Sequence, residues 1–259
     1  MNTPKSQNLE PETLNSKPIT PWYYWLYQPY KWLIFIPLFG VATIICALLA
    51  ATISIIISPK AGSIWGVVWG RVACLITPVK VFVKGKENID KKKSYIIISN
   101  HQSLFDILLV YAFMGIDFKF LMKKELRKVP FLGYACYKVG HIYIDRKSPK
   151  AALQSLNEAK QKLTDGVSVM VFPEGTRSKQ KEMQQFKKGA FKLATDLNLD
   201  ILPVTIVDSY KILRTGFLNI LPGKAGIVVH PHIVVADFEN DMEGLMGEAR
   251  RILEMGNKN

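Results

Sequence analysis

The residues with the most chemistry to offer are His101 and Asp106, five positions apart at the end of an apolar run. The run, Tyr95-Ile96-Ile97-Ile98-Ser99, is rich in β-branched residues and stops at Asn100-His101. A histidine at the mouth of a strand, with a carboxylate close by, is the minimal equipment of a general base. The carboxylate fixes the tautomer and steadies the imidazolium that forms. The same stretch has a plainer meaning, because Ser103-Leu104-Phe105-Asp106 is also a helix capping box in which Asp106 satisfies backbone donors. Both meanings stay open on these residues. If both hold, His101 lies in the loop before a helix and Asp106 reaches back from its first turn.

A second candidate is Phe172-Pro173-Glu174-Gly175-Thr176-Arg177-Ser178. Glycine, a hydroxyl and a guanidinium share one tight loop. Arginine offers a bidentate fork, and Thr176 and exposed backbone N–H groups add donors, which suits a phosphate monoester. The alternative is an ordinary polar turn with Arg177 in solvent. His141, His230 and His232 read as structural, and His230-Pro231-His232 has no obvious third metal ligand nearby.

These groups need a scaffold that brings them together. From residue 79 onward, strands are expected at 79–84, 95–99, 118–122, 142–145, 167–172, 201–207 and 227–235, the last interrupted at Pro231. Helices are expected at 103–114, 130–139, 148–163, 187–197 and 242–255. The alternation predicts an α/β domain with helices packed over a largely parallel sheet. His101 falls just past the C-terminal end of one buried strand, and residues 172–178 at and just past the end of another. If those strands are parallel, both loops open on the edge where α/β sheets build ligand sites.

Charge and hydropathy narrow the surroundings. The 259 residues hold 34 basic against 21 acidic side chains, a net charge of +13. That balance calls for an anionic partner: nucleic acid, an anionic membrane surface or a phosphorylated substrate. Cys46, Cys74 and Cys136 share no metal-ligand spacing and suit a reduced compartment. Residues 33–58 carry no charge; as one helix they span about 39 Å, more than the ~30 Å hydrocarbon core. The aromatic cluster Trp22, Tyr23, Tyr24, Trp25, Tyr27, Tyr30 and Trp32 precedes them as an interfacial belt would. Pro37 and Gly40 permit a kinked span or a hairpin dipping into one leaflet. Residues 64–76 then form a helix that either lies flat on the membrane or packs on the following domain. Lys60, Arg71, Lys80, Lys84, Lys86 and the lysines at 91–93 crowd the C-terminal flank, which places the bulk of the chain on the cytoplasmic face, the inner membrane in a bacterium. The chain thus divides into a flexible tail (1–20), a membrane-anchoring and interfacial region (21–78) and a catalytic domain (79–259).

Together the two motifs resemble the glycerolipid acyltransferases, most closely the 1-acyl-sn-glycerol-3-phosphate (lysophosphatidate) acyltransferase family. The first stretch is similar to its His-x4-Asp motif and the second to its Glu-Gly-Thr-Arg motif. Lys123, Leu126, Pro130 and Gly133, then Ile144-Asp145-Arg146 and Ile201-Leu202-Pro203-Val204, fit the same order, so the likeness runs from Val79 to Val207. It implies the family's α/β fold and transfer of a fatty acyl group from a thioester to the sn-2 hydroxyl of lysophosphatidate, giving phosphatidate. His101 is then the general base and Asp106 its orienting partner. Glu174, Gly175, Thr176 and Arg177 fall to the glycerol phosphate, with Lys123 and Arg146 as further phosphate contacts. An alcohol needs a base as it attacks a thioester, but no serine or cysteine nucleophile, so direct transfer is expected. An oxyanion stabiliser is needed, and no residue identifies itself as one. No cofactor is implied beyond the thioester co-substrate, carried by coenzyme A or acyl carrier protein; both carriers are anionic and drawn to a basic surface. The expected partners are a lysophospholipid in the bilayer, the acyl donor and the membrane, without nucleic acid. One alternative is a related acyltransferase acting on glycerol 3-phosphate, another lysophospholipid or an amino-lipid. Another is a membrane-tethered basic protein that binds nucleic acid, although its basic residues lack interleaved aromatics.

Overall fold

A computed structural model describes residues 24–145, 151, 154–155, 167–178, 182–213 and 220–258. The expected tail (1–20) and most of the expected helix at 148–163 lie outside the described residues. The chain enters as one long helix, α1 (Tyr24–Ile56), long and apolar enough to cross a membrane. Its turns widen to π type over Lys31–Phe35, which takes in Leu33, the residue whose carbonyl Pro37 has no N–H to meet. The reversal comes later. Ser58 accepts the N–H of Ala61 at 3.1 Å and Pro59 fills the first position of α2 (Pro59–Ile76). A capping serine followed by proline is a strong helix start, so the chain turns back here and α1 continues through both Pro37 and Gly40. The segment expected at 64–76 belongs to this second arm. Trp69 Nε1 donates to Thr43 Oγ1 at 2.9 Å, so α2 lies antiparallel along α1. Its other side rests on α3 (Phe105–Phe113) at backbone distance: a Cβ on Gly70 would sit 2.8 Å from the Leu108 carbonyl oxygen.

Behind the hairpin stands a seven-stranded sheet in the order β1-β7-β6-β2-β5-β3-β4. The strands are β1 (Val79–Lys84), β2 (Ile96–Ser99), β3 (Phe118–Lys123), β4 (Ile142–Ile144), β5 (Ser168–Val171), β6 (Ile201–Val207) and β7 (Gly223–Val229). Every neighbouring pair is parallel except β6 and β7. Strand alternation explains the unbroken apolar run of β2. Ile97 packs with Phe105 and Leu109 on the hairpin side, while Ile96 and Ile98 meet Phe191 and Leu253 on the other. Those two belong to α5 (Gly189–Leu197) and α7 (Met242–Lys258). A central strand covered on both faces must be apolar at every position, and each fully buried isoleucine stabilises by roughly 2 kcal/mol. Two further helices are α4 (Leu132–Val139), which lies beside the hairpin, and the single turn α6 (Ser209–Ile212) after β6.

The expected strand at 227–235 is displaced. β7 begins at Gly223, where two glycines disguise it, and ends at Val229. His230 still donates its N–H to the Pro203 carbonyl at 3.0 Å, but Pro231 has no N–H to continue the ladder, and Ile233 returns only as an isolated bridge to Ile201. The three other histidines serve the fold. His141 is buried, its Nδ1 accepting the Phe120 N–H at 3.1 Å while Nε2 meets the Tyr111 hydroxyl. Burial lowers its pKa to about 3, so the ring is neutral. His230 Nε2 pairs with Thr205 Oγ1 at 2.9 Å, and His232 lies 3.6 Å from Asp200.

Candidate active site

His101 leaves the C-terminal end of β2 and points its Nδ1 at Asp106 Oδ2, 2.8 Å away. Asp106 is fully buried in the first turn of α3. The same Oδ2 accepts the N–H groups of Gln102 (2.8 Å) and Ser103 (2.9 Å), while Ser103 Oγ accepts the Phe105 N–H at 3.0 Å. The capping box and the orienting contact are therefore one arrangement. An ionised carboxylate only accepts, so the proton sits on Nδ1 and Nε2 keeps the basic lone pair. Phe172 stacks on the imidazole at 4.0 Å between centroids and 14° between planes, fixing the ring's remaining rotation.

β5 lies beside β2 and parallel to it, so the Glu174–Arg177 loop opens on the same edge as His101. The contact between the two loops is direct. Glu174 Oε1 accepts the His101 N–H at 2.8 Å, and the Ser178 N–H donates to the His101 carbonyl at 2.7 Å. Glu174 Oε2 accepts the Gln184 N–H at 2.9 Å. This carboxylate is buried, and burial pushes its pKa above the ordinary value against the pull of its two N–H partners. Although expected among the phosphate ligands, Glu174 sits with both oxygens on backbone donors and ties the loops together. Removing it leaves the His101 and Gln184 N–H groups without their acceptor, costing up to about 1–3 kcal/mol each where they stay shielded from water. Glu174→Ala should therefore lower unfolding stability and turnover together, measured by denaturant titration in detergent and by initial rates; unchanged values in both would contradict the tie.

Gly175 adopts φ +75°, a conformation that favours glycine, and a Cβ there would lie 2.8 Å from Lys187 Nζ. Thr176 and Arg177 beyond it are exposed. Gln184 braces them: its Nε2 donates to the Arg177 carbonyl at 3.0 Å and its Oε1 accepts the Thr176 hydroxyl at 3.4 Å. Arg250 of α7 holds the brace in turn, donating to the Met183 carbonyl at 2.9 Å and the Gln184 carbonyl at 3.2 Å. Lys123 ends β3 on the same edge and makes a 3.8 Å surface pair with Glu125, worth about 0–1 kcal/mol and easily given up to a better anion. Arg146 lies outside the described residues.

Both loops open onto a cavity of about 1130 Å³. His101, Gly175, Thr176, Arg177 and Lys123 lie in one polar wall; most of the rest is apolar, drawn from α1, α2, α3 and α4 through residues such as Phe39, Ala47, Trp69, Leu108 and Ala135. The volume exceeds the roughly 300–1,000 Å³ of ordinary small-molecule pockets. Several contributors are absent from the sequence-based expectations. Asn100 pairs both amide atoms with the backbone of Ile206 in β6, each at 2.8 Å, and so sets where the histidine loop begins. Phe172, Gln184, Lys187 and Arg250 are the others; of these only Phe172 stood within a candidate stretch, without a role assigned to it.

Known proteins share this arrangement. The family model described as Acyltransferase matches residues 80–207, which include both motif loops. The chain is 34% identical over 153 residues to a 1-acyl-sn-glycerol-3-phosphate acyltransferase of Chlamydomonas reinhardtii, covering 58% of this chain and 46% of that one. To the chloroplastic enzyme of the same name from Arabidopsis thaliana it is 34% identical over 156 residues, 60% of this chain and 44% of that one. The chain thus spans less than half the length of these two relatives. With the like-named protein of Borreliella burgdorferi it shares 30% identity over 163 residues, 63% of this chain and 64% of that one. The crystal structure of the 1-acyl-sn-glycerophosphate acyltransferase from Thermotoga maritima superposes with a TM-score of 0.75 at 27% identity, covering 90% of this chain and 95% of that one. Residues 80–207, which hold both motif loops, therefore belong to the acyltransferase family, and the fold around them is like that of the Thermotoga protein.

Proposed function

We propose that the protein transfers a fatty acyl group from acyl-CoA or acyl carrier protein to the sn-2 hydroxyl of lysophosphatidate, forming phosphatidate. The observation that carries this reading is the His101–Asp106 pair set in the wall of a large apolar cavity beside Arg177 and Lys123. His101 Nε2 takes the hydroxyl proton as the oxygen attacks the thioester carbonyl, and the Asp106 carboxylate offsets the charge that develops on the ring. When the tetrahedral intermediate collapses, the carbon–sulfur bond breaks and the leaving thiolate takes that proton from His101. The acyl group passes directly, without an acyl-enzyme. Arg177 and Lys123 hold the phosphomonoester, Thr176 and Gly175 add neutral donors, and Glu174 keeps their loop against the histidine. The apolar wall receives the fatty chain. The α1–α2 hairpin anchors the protein to the membrane that holds its acceptor, and the lysine-rich stretch after it favours a catalytic domain on the cytoplasmic face.

Arg177→Ala tests the acceptor. Charged hydrogen bonds contribute about 1.5–3 kcal/mol, so KM for lysophosphatidate should rise by about 10- to 100-fold while a monoacylglycerol acceptor, which lacks the phosphate, is little affected. Parallel acyl-transfer assays with the two acceptors read this out. An undiminished preference for the phosphomonoester would remove Arg177 from the role.

A further inference from the structure

β3 is parallel to β5, and β5 to β2, so the chain leaving Lys123 emerges on the same sheet edge as His101 and the Glu174–Arg177 loop. It forms a 3-10 segment (Lys124–Lys128) and then α4. This helix has two faces. Leu132, Ala135, Cys136 and Val139 recur at helical spacing and line the cavity. The other face carries Tyr134 and Tyr137, 54% and 42% exposed, and Phe131 just ahead of them is 52% exposed. Phe131 also has φ +58°, a conformation a bulky residue rarely takes, yet its ring stays in the open. Cations accompany the rings. The Arg127 guanidinium sits 4.1 Å over Tyr137 and Lys138 Nζ 5.4 Å over Tyr134, with Lys128 exposed beside them. Aromatic rings flanked by long basic side chains match the headgroup layer of a bilayer, where a ring end and an ammonium both find suitable surroundings. The patch is also continuous with the hairpin, because α4 packs on α1, whose outward Leu38, Val41 and Ile45 are exposed.

We propose that Phe131, Tyr134 and Tyr137, with Arg127, Lys128 and Lys138, form a second membrane foot that seats the active-site edge on an anionic lipid surface. Charge alone would serve an acidic carrier protein equally well. The exposed rings, lying beside an apolar helix, favour lipid. The foot rests on the reading of the hairpin as a membrane anchor, and it adds a function to the outer face of α4. A hairpin alone leaves the domain free to tilt. A second contact, on the outer face of a helix that itself lines the cavity, holds the mouth against the leaflet, so that an acceptor enters from the bilayer plane.

The test uses the full chain carrying Tyr134→Trp, bound to vesicles of phosphatidylcholine and phosphatidylglycerol brominated near the headgroup end of the acyl chains. All five native tryptophans, Trp22, Trp25, Trp32, Trp65 and Trp69, lie in or before the hairpin, so they report the anchor and the difference emission reports position 134. The foot predicts that the added emission is quenched by the brominated lipid and shielded from aqueous iodide, and that both effects weaken in vesicles of phosphatidylcholine alone. Quenched native emission with position 134 open to iodide would overturn the foot and leave the anchor standing. Unquenched native emission would overturn the anchor as well. Shielding of position 134 by acyl carrier protein, without lipid quenching, would assign the patch to a protein partner and overturn the proposal. Kinetics supply a second arm: Phe131→Ser with Tyr137→Ser should raise the apparent KM for lysophosphatidate in anionic vesicles about fivefold or more, with turnover in detergent micelles retained. An equal loss in both media would mean a structural role only.

Discussion

His101→Ala lowers kcat for acyl transfer by about 10²- to 10⁴-fold, the range that a positioned general base contributes, and leaves KM for lysophosphatidate little changed. The His101 Nδ1 is engaged by Asp106 and one ring face by Phe172, so Nε2 is the nitrogen left for substrate. That contact gains strength only as the hydroxyl proton moves, and such an interaction appears in kcat. The phosphate ligands are on another loop and survive the change. So does the fold: Asp106 Oδ2 keeps the Gln102 and Ser103 N–H groups, so the buried carboxylate is not left bare. Initial rates at saturating donor and acceptor, with an unfolding curve beside them, check both halves. A folded variant that retains near-normal kcat would remove His101 from the chemistry.

Asp106→Asn should cost nearly as much activity, with a smaller loss of stability. One oxygen does two jobs here, orienting the imidazole and accepting two backbone donors. An asparagine has a single acceptor oxygen. Because the histidine and both backbone donors meet the same atom, an amide oxygen placed there keeps the contacts but brings no charge. The imidazolium that forms as the proton moves then lacks its counter-ion; the Asp-to-Asn change in a Ser-His-Asp triad costs about 10⁴-fold. The lost charge at the helix start costs only about 0.3–1 kcal/mol. Activity falling far more than stability is therefore the signature of the orienting role. The reverse, a weakened fold with turnover largely preserved, would mean that Asp106 merely caps α3.

The features that were legible in the sequence are those governed by local pattern. Burial on both faces forces β2 to be apolar at every position, so its end, and hence the place of His101, could be read directly. The return of Asp106 to that histidine followed from a capping spacing that one short turn can satisfy. The hairpin was harder. Ser58-Pro59 is a helix-start signal, but it closes a stretch whose hydropathy reads as one uncharged segment, and the helix tolerates Pro37 by widening its turns. The direction of Glu174 was not legible at all. A carboxylate in a polar loop looks the same in sequence whether it faces a ligand or two backbone N–H groups, and only the parallel pairing of β2 with β5 decides it. Gln184 and Arg250 escaped for a related reason: both reach backbone carbonyls, which carry no residue identity. Arg250 reaches the loop from the last helix, 66 and 67 positions away in the chain.

The most direct test of the account is the product itself. The purified full chain, in anionic vesicles containing lysophosphatidate, is supplied with labelled acyl-CoA or labelled acyl carrier protein, and the lipid product is hydrolysed selectively at the sn-2 ester. The expected product is labelled phosphatidate whose label is released wholly by that hydrolysis, formed at least about 10²-fold more slowly by His101→Ala. No phosphatidate from either donor, or a label that remains after sn-2 hydrolysis, would contradict it.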